Sequence, residues 1–412
     1  MWRIESARLI AALTRMVRDV GIAEELAQDA FVIALEQWPV TGIPEHPGPW
    51  LMATARHRAV DLLRRQGRYR RKLEQIGRTQ EAAAAAPDAD PPEYISDDLL
   101  RLIFIACHPV LTTPARVTLT LRLLGGVSTH EIARALLIPE PTVAQRIVRA
   151  KRTLAERRVP FELPPPAELT SRLTSVLEVV YLMFNEGYAA TAGETWTRPE
   201  LCQEALRTGR VLASLMPGEP EVHGLLALME IQSSRLAART GPDGEPVLLE
   251  DQDRRRWDRL LIRRGLAALA QAEKLSEVRG PYTLQAAIAA EHARAPSLAD
   301  TDWERLAALY QILAHVSLSP VVELNRAVVL GRAYGPERAL PVVDAVAGDP
   351  ALRDYPHLPA VRGDLLARLG RHQEAGQEFS RAAALTRNAR ERALFSARAA
   401  ACQAAQHPAP QR

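Results

Sequence analysis

The sequence is poor in cysteine, in aromatic residues and in long apolar runs. Its three cysteines, Cys107, Cys202 and Cys402, are odd in number and far apart, and no CxxC pair occurs. That excludes a disulfide framework and fits a reducing cytoplasm. No apolar run approaches the roughly 20 residues that a membrane span needs, so no membrane role is expected. The first residues, "MWRIESARLIAALTRMVRDV", are amphipathic and punctuated by charge, unlike a signal peptide. Aromatic residues are 5% of the chain, and runs of β-branched residues are scarce. Alanine, leucine and arginine dominate instead, which favours helix over sheet.

What is present is enough for a sizeable core. The 412 residues allow two to four domains, and 47% hydrophobic with 25% charged residues is the balance of a globular protein. The net charge is only +3, but it is unevenly spread. Between Arg56 and Lys72 stand eight arginines and lysines against the single acid Asp61, and a second basic cluster runs from Arg146 to Arg158. Such clusters attract phosphates, although each alone also fits a solvated helix face.

The chain reads as four segments. Residues 1–72 form a helical unit. In "AEELAQDAFVIALEQW", Ala23, Leu26, Ala27, Ala30, Phe31, Ala34, Leu35 and Trp38 recur every three or four residues as one apolar face. "PVTGIPEHPGP" breaks that helix, and "WLMATARHRAVDLLRRQGRYRRK" resumes with Leu51, Ala55, Ala59, Leu62 and Leu63 on one side and arginines on the other. Residues 73–96, with "EAAAAAPDADPP", read as a linker. A second helical unit spans 97–159, and "VPFELPPP" marks a further boundary. From 167 to 405 the chain is helix after helix. "LLARLGRHQEAGQEFSRAAAL" has the spacing of a tetratricopeptide helix pair, with Gly370 ending one helix and Ala375 and Phe379 packing the next. The period is irregular, so this part is TPR-like rather than a clean array. In the main interruption, Asp243-Gly244 predicts a turn and "PVLLE" a short strand.

"STHEIARALLIPEPTVAQRIVRAKRTL" carries the sharpest motif. Ser128 followed by Glu131 is a capping box. Ile132, Ala133, Leu136 and Leu137, then Val143, Ile147 and Leu154, form a buried face, and Pro139 and Pro141 suit the turn and first turn of a second helix. The spacing is that of a helix-turn-helix whose second helix enters a major groove. Thr142, Gln145, Arg146, Arg149 and Arg152 are left outward or flanking. Gln145 can pair with adenine, and Arg146 or Arg149 with guanine. Lys151 and Arg152 lie further along and suit phosphates. An ordinary helical hairpin with a charged outer face is the alternative.

This stretch resembles region four of the extracytoplasmic-function (ECF) sigma factors of bacterial RNA polymerase, which binds the −35 promoter element. "AEELAQDAFVIALEQWP" followed by "PGPWLMATARHRAVDLLRR" resembles their region two. Two motifs in the right order, over roughly the first 160 residues, are more specific than one helix-turn-helix. The remainder, with "RLTSVLEVVYLMFNEGYAAT" and "LLEDQDRRRWDRLLI", resembles the TPR-like extension of one ECF subgroup. The resemblance implies an all-α protein: two small sigma domains and a helical extension, with no catalytic centre, cofactor or metal. Its implied partners are core RNA polymerase and promoter DNA. An exposed acidic helix carrying Glu24, Glu25, Gln28 and Asp29 would bind polymerase. Trp50, Arg56, His57, Asp61, Arg64 and Arg65 would lie near the melted −10 strand. The family usually has asparagine where this chain has His57, which opens its base preference. The turn also departs: Leu137-Ile138-Pro139 stands where glycine is usual, so a different turn geometry is anticipated.

The extension suggests regulation, either by folding back on the sigma regions or by receiving a regulatory protein, since tethering gives even a weak contact a millimolar effective concentration. Asn185, Glu186 and Tyr188 form a polar knot that could line a ligand pocket, although a helix end at Gly187 is the simpler account. His-Glu at 130–131 lacks a second histidine at metalloprotease spacing, and His292, His315, Glu323 and Asn325 show no site pattern. A TPR-like interaction protein and an ordinary helix-turn-helix regulator are the competing functions.

Overall fold

A computed structural model describes residues 2–74 and 92–406 of the chain. Most of the linker expected at 73–96 therefore lies outside the described residues; its two edges belong to helices. The fold is all-α, with two compact units, residues 1–182 and 183–412.

The first unit holds α1 (Trp2–Val17), α2 (Val20–Thr41), α3 (Pro47–Glu74), α4 (Pro92–Ala106), α5 (Thr113–Leu123), α6 (Thr129–Leu136), α7 (Glu140–Glu156) and the first part of α8 (Pro166–Tyr188). Asp19 starts α2 by accepting from the Ile22 N–H at 3.0 Å. Leu9, Ile10 and Leu13 of α1 are buried with Ala23, Ala27 and Ala30 of α2 and Leu51, Ala55 and Ala59 of α3. The alanines let the helix backbones approach closely. The break after α2 is shorter than its prolines suggest. The helix carries Pro39 in its last turn and ends at Gly42, in a left-handed conformation. α3 starts at Pro47, whose missing N–H costs nothing in a first turn.

The sequence separates 1–72 from 97–159, but both belong to one compact unit. α4 packs on α1, where the buried Asp98 accepts from Arg101 at 2.7 Å and pairs with Arg15 at 3.2 Å. Burial raises the Asp98 pKa despite both arginines. The boundary expected at 160–166 does not divide compact units either. In α8, Arg172 donates to the Phe104 carbonyl at 3.1 Å, and the Ser175 hydroxyl to that of Cys107 at 2.9 Å. Arg116 reaches back to Ser175 and Glu178. These bonds satisfy carbonyls at the end of α4, and they make the start of the extension part of the first unit.

The second unit continues with α9 (Pro199–Leu215), α10 (Pro220–Ser233), α11 (Arg259–Leu275), α12 (Pro281–Arg294), α13 (Trp303–Val316), α14 (Pro320–Ala333), α15 (Pro336–Val346), α16 (His357–Arg368), α17 (His372–Leu385) and α18 (Ala389–Gln406). α9, α10, α12, α14 and α15 each open on proline, whose missing N–H costs little in a first turn. Successive helices from α13 to α18 pack in series. Gly370, in a left-handed conformation, closes α16, and Ala375 and Phe379 of α17 are buried beside Leu365 and Leu366 of α16. Two parallel two-residue strands, β1 (Ala192–Gly193) and β2 (Arg387–Asn388), join the unit's first and last segments. Asn388 is fully buried between them. Its amide donates to the Ala190 and Thr195 carbonyls at 2.9 and 2.8 Å, while its oxygen accepts from the Arg390 and Glu391 N–H groups and starts α18.

Two local expectations change. "PVLLE" is not a strand: Pro246 makes a single bridge to Thr240, and Leu249–Asp251 is a 3-10 turn. The helix end expected at Gly187 falls one residue later, at Tyr188, but the glycine also has a packing role. A Cβ there would stand 2.6 Å from the Cys202 nitrogen and 2.9 Å from the Arg198 carbonyl, so glycine is needed for the close crossing with α9. Glu186 accepts from Thr191 and pairs with Arg198, within that crossing.

Candidate nucleic-acid interface

α6 and α7 form the helix-turn-helix. The capping box is complete: Ser128 Oγ accepts from the Glu131 N–H at 3.2 Å, and the Glu131 carboxylate accepts from the Ser128 N–H at 2.9 Å. The turn keeps the left-handed step that glycine usually makes, because Leu137 adopts φ 50°, ψ 46°. Its side chain is 49% exposed, not part of the buried face the spacing suggests, since that backbone step turns it away. His130 and Glu140 meet across the turn at 3.3 Å.

α7 buries Val143, Ile147, Ala150 and Leu154. Gln145, Arg149 and Arg152 are exposed on the other side; Thr142 and Arg146 are half-buried. Arg152 donates to Glu156 at 2.6 Å, which raises its pKa. A phosphate would have to compete with that carboxylate. Lys151 does not point with these residues. It pairs with Glu24 of α2.

Glu24 is the main departure from expectation. The resemblance implies an exposed acid, but the residue is 4% exposed. Its carboxylate accepts from Arg122 Nε of α5 at 2.6 Å and from the Gln28 amide at 2.8 Å, and it pairs with Lys151. Position 24 falls on the same helix face as Ala23 and Ala27, which is why it is buried. Glu24, Gln28, Arg122, Ser6, Ile10 and Phe31 line a cavity of about 20 Å³, room for about one water. Glu25 and Asp29 are exposed as expected, and Gln28 is half-buried. Asp29 accepts from Arg58 of α3 at 2.7 Å. Leu35, assigned to the buried face by spacing, is 74% exposed, and Val32, Val40 and Ile43 are exposed as well. Glu25, Asp29, Val32 and Glu36, at intervals of three and four, make an outward stripe that mixes acid with apolar surface.

On α3, His57, Asp61, Arg64 and Arg65 share an exposed stripe, and Arg56 is half-buried. Trp50 is half-buried too, with its ring centroid 5.4 Å from that of Trp38 at a 60° tilt. The side chains of the basic run from Arg68 to Lys72 lie outside the described residues.

Residues 2–69 match the family description "Sigma-70 region 2", residues 101–154 match "Sigma-70, region 4", and residues 172–273 match a family of unknown function, DUF6596. The ECF RNA polymerase sigma factor SigK of Mycolicibacterium vanbaalenii is 30% identical over 150 residues, which cover 34% of this chain and 71% of SigK. The chain belongs to the ECF sigma factors. A probable ECF RNA polymerase sigma factor, SigI of Mycobacterium tuberculosis, is 28% identical over 165 residues, 40% of this chain and 56% of SigI. An uncharacterized protein of Rhizobium meliloti is 42% identical over 388 residues, covering 94% of this chain and 91% of that protein, so it shares the extension as well.

As a sigma factor, this protein binds core RNA polymerase and promoter DNA and directs transcription initiation. Among the described residues, no group of three or more histidine, cysteine or acidic side chains could hold a metal, and no helix is long and apolar enough to cross a membrane. Burial pushes the thiols of Cys107 and Cys202 up to about 11 and about 12, which makes them poor nucleophiles. The contact between Glu24 and Lys151 escaped the sequence reading, which gave the two residues to different partners. The available signal was weak: an acid at a position where the helix period calls for an apolar residue.

Proposed function

We propose that this sigma factor is held closed by its own regions two and four and opens on polymerase. The carrying observation is the Glu24 carboxylate, buried on α2 and shared by Arg122 and Lys151. It ties the region-two body to the DNA-reading helix while neutralising a cation that would otherwise face phosphate. Once open, Gln145, Arg146 and Arg149 read −35 bases, with Thr142 at the start of the helix, and Lys151 and Arg152 hold phosphates. The stripe His57, Asp61, Arg64 and Arg65, with Arg56 and Trp50, guides the melted −10 strand. The outward stripe of α2, with Glu25 and Asp29 at its centre and Gln28 beside it, meets polymerase. The extension regulates this equilibrium, and its docked first helix, α8, is the physical link to region four. The protein acts in the cytoplasm, where its polymerase and promoter are.

Glu24→Gln in the full chain tests this reading by in-vitro transcription with core polymerase and by polymerase binding. The latch predicts more transcription and tighter polymerase binding, because less of the chain is held closed. Unchanged transcription removes the latch. Weaker polymerase binding would return Glu24 to the polymerase surface. Deleting residues 183–412, which keeps the docked part of α8, asks separately whether the extension restrains or assists. Promoter binding should weaken steeply with salt, as phosphate contacts require.

A further inference from the structure

Tyr188 closes α8 at the centre of a ladder of rings and guanidinium groups in the second unit. Arg239 Cζ lies 3.7 Å from the Tyr188 ring centroid and 5.3 Å from that of Trp196. Arg235 lies 5.9 Å from Tyr188 and 5.7 Å from Trp257, and Arg254 lies 4.8 Å from Trp257. Three cations therefore alternate with three rings.

Their partners are all neutral. Arg235 donates to the Tyr188 hydroxyl at 2.7 Å and to the Gln232 side-chain oxygen. Arg239 donates to the Tyr188 carbonyl at 3.0 Å, and Arg254 to the carbonyls of His292 and Ala295 at 2.7 and 2.5 Å. None of the three forms an ion pair with a carboxylate among the described residues; Asp300 acts on Arg254 only through space. Guanidinium groups stay charged, and burying cations without a counter-charge is costly.

The hydrogen-bond balance points the same way. Nε of Arg235, Nε of Arg239, Nη2 of Arg254 and the indole nitrogens of Trp196 and Trp257 are buried donors without an acceptor. Trp257 is 3% exposed and Arg235 9%. Five unmatched donors cluster with three unmatched positive charges. Arg116 and Arg172, which hold helix ends in the first unit, each leave one buried Nε unmatched; the ladder differs in gathering five such donors in one place, where buried donors are normally paired. Burial, reinforced by Arg235 and Arg254, lowers the pKa of His292 to about 4.

We propose that this ladder is the binding site of a small oxyanion, a carboxylate or a phosphoryl group, held by Arg235, Arg239 and Arg254 between the rings of Tyr188 and Trp257. The anion supplies both the missing charge and the missing acceptors. The extension then has a chemical input of its own, independent of how the sigma regions are controlled.

Isothermal titration of the full chain, at constant ionic strength set with chloride, tests it with two probes: inorganic phosphate and succinate. One saturable site per chain for either supports the proposal, and the better probe identifies the headgroup class. Arg235→Gln and Arg254→Gln should each weaken binding at least about tenfold, since each removes a charge-assisted bond. Arg256→Gln, an exposed neighbour, should leave it unchanged. Should a glutamine variant fail to fold, Arg254→Lys, which keeps the charge but loses the fork, should still weaken binding. No saturable uptake of either probe, or equal affinity in wild type and the ladder variants, overturns the site.

Discussion

Buried charge is handled in opposite ways in the two units. In the first, one carboxylate, Glu24, is met by two cations, Arg122 and Lys151. In the second, the cations Arg235, Arg239 and Arg254 meet only rings, carbonyls and neutral oxygens. A matched buried cluster holds a conformation together, because each member penalises the loss of the others. An unmatched one invites a partner from outside. On this contrast rest our proposals of a latch in the sigma regions and a receptor in the extension.

The comparison breaks most severely at Glu24. Glu24→Ala leaves Arg122 and Lys151 without their counter-charge and should cost about 3 kcal/mol, read as a lower urea midpoint. Adding Lys151→Met should recover part of that loss; strictly additive effects would dissolve the cluster as a unit.

A middle-sized effect sharpens the other side. His292 has a folded pKa of about 4, against about 6.5 in an unfolded chain. The unfolded state takes up the proton first as pH falls. Stability from this group is therefore complete above pH 6.5, declines below it and is lost as pH falls through 4, roughly 3 kcal/mol in all. His292→Gln should flatten the pH dependence of the melting temperature over that window. An unaltered slope would clear the ladder of any part in acid sensitivity.

The smallest effect lies in the turn before α7. Leu137 holds a left-handed backbone that costs a side chain about 1 kcal/mol. Leu137→Gly should stabilise the chain by about 0.5–1 kcal/mol, visible as a modest rise in melting temperature. A fall would mean that the half-exposed leucine packs more usefully than its exposure implies.

The legible parts of the fold and of the candidate site are those written in local chemistry. The capping box at Ser128 and Glu131 could be read directly, because it needs only residues three apart. So could the proline-led turn into α7 and the basic stripe of α3, which depend on helical period alone. Leu35 and Glu24 were misplaced for the complementary reason. Period tells which residues share a face, but not where along the helix a neighbour stops covering it. α2 outruns its cover, so Leu35 is exposed. Near its start Arg122 of α5 and Lys151 of α7 reach it, so Glu24 is enclosed. Gly187 stands at the end of α8 as its residue type suggests, but its second role, the close approach of α9, was not legible, since helix ends and close crossings both select glycine. The Asn388 bracket joins residues nearly two hundred positions apart, and no local pattern announces such a pair.

By itself, the amino-acid sequence determined that this protein is helical, where its helices begin, and that it carries two sigma motifs ahead of a long extension. Capping, proline placement and apolar period act over a few residues and need nothing further. The tertiary structure decided which charges are matched: Lys151 turned to Glu24 instead of outward, and three arginines were gathered with no acid among them. Charge balance depends on neighbours brought together across tens of residues, and that is a property of packing rather than of spacing.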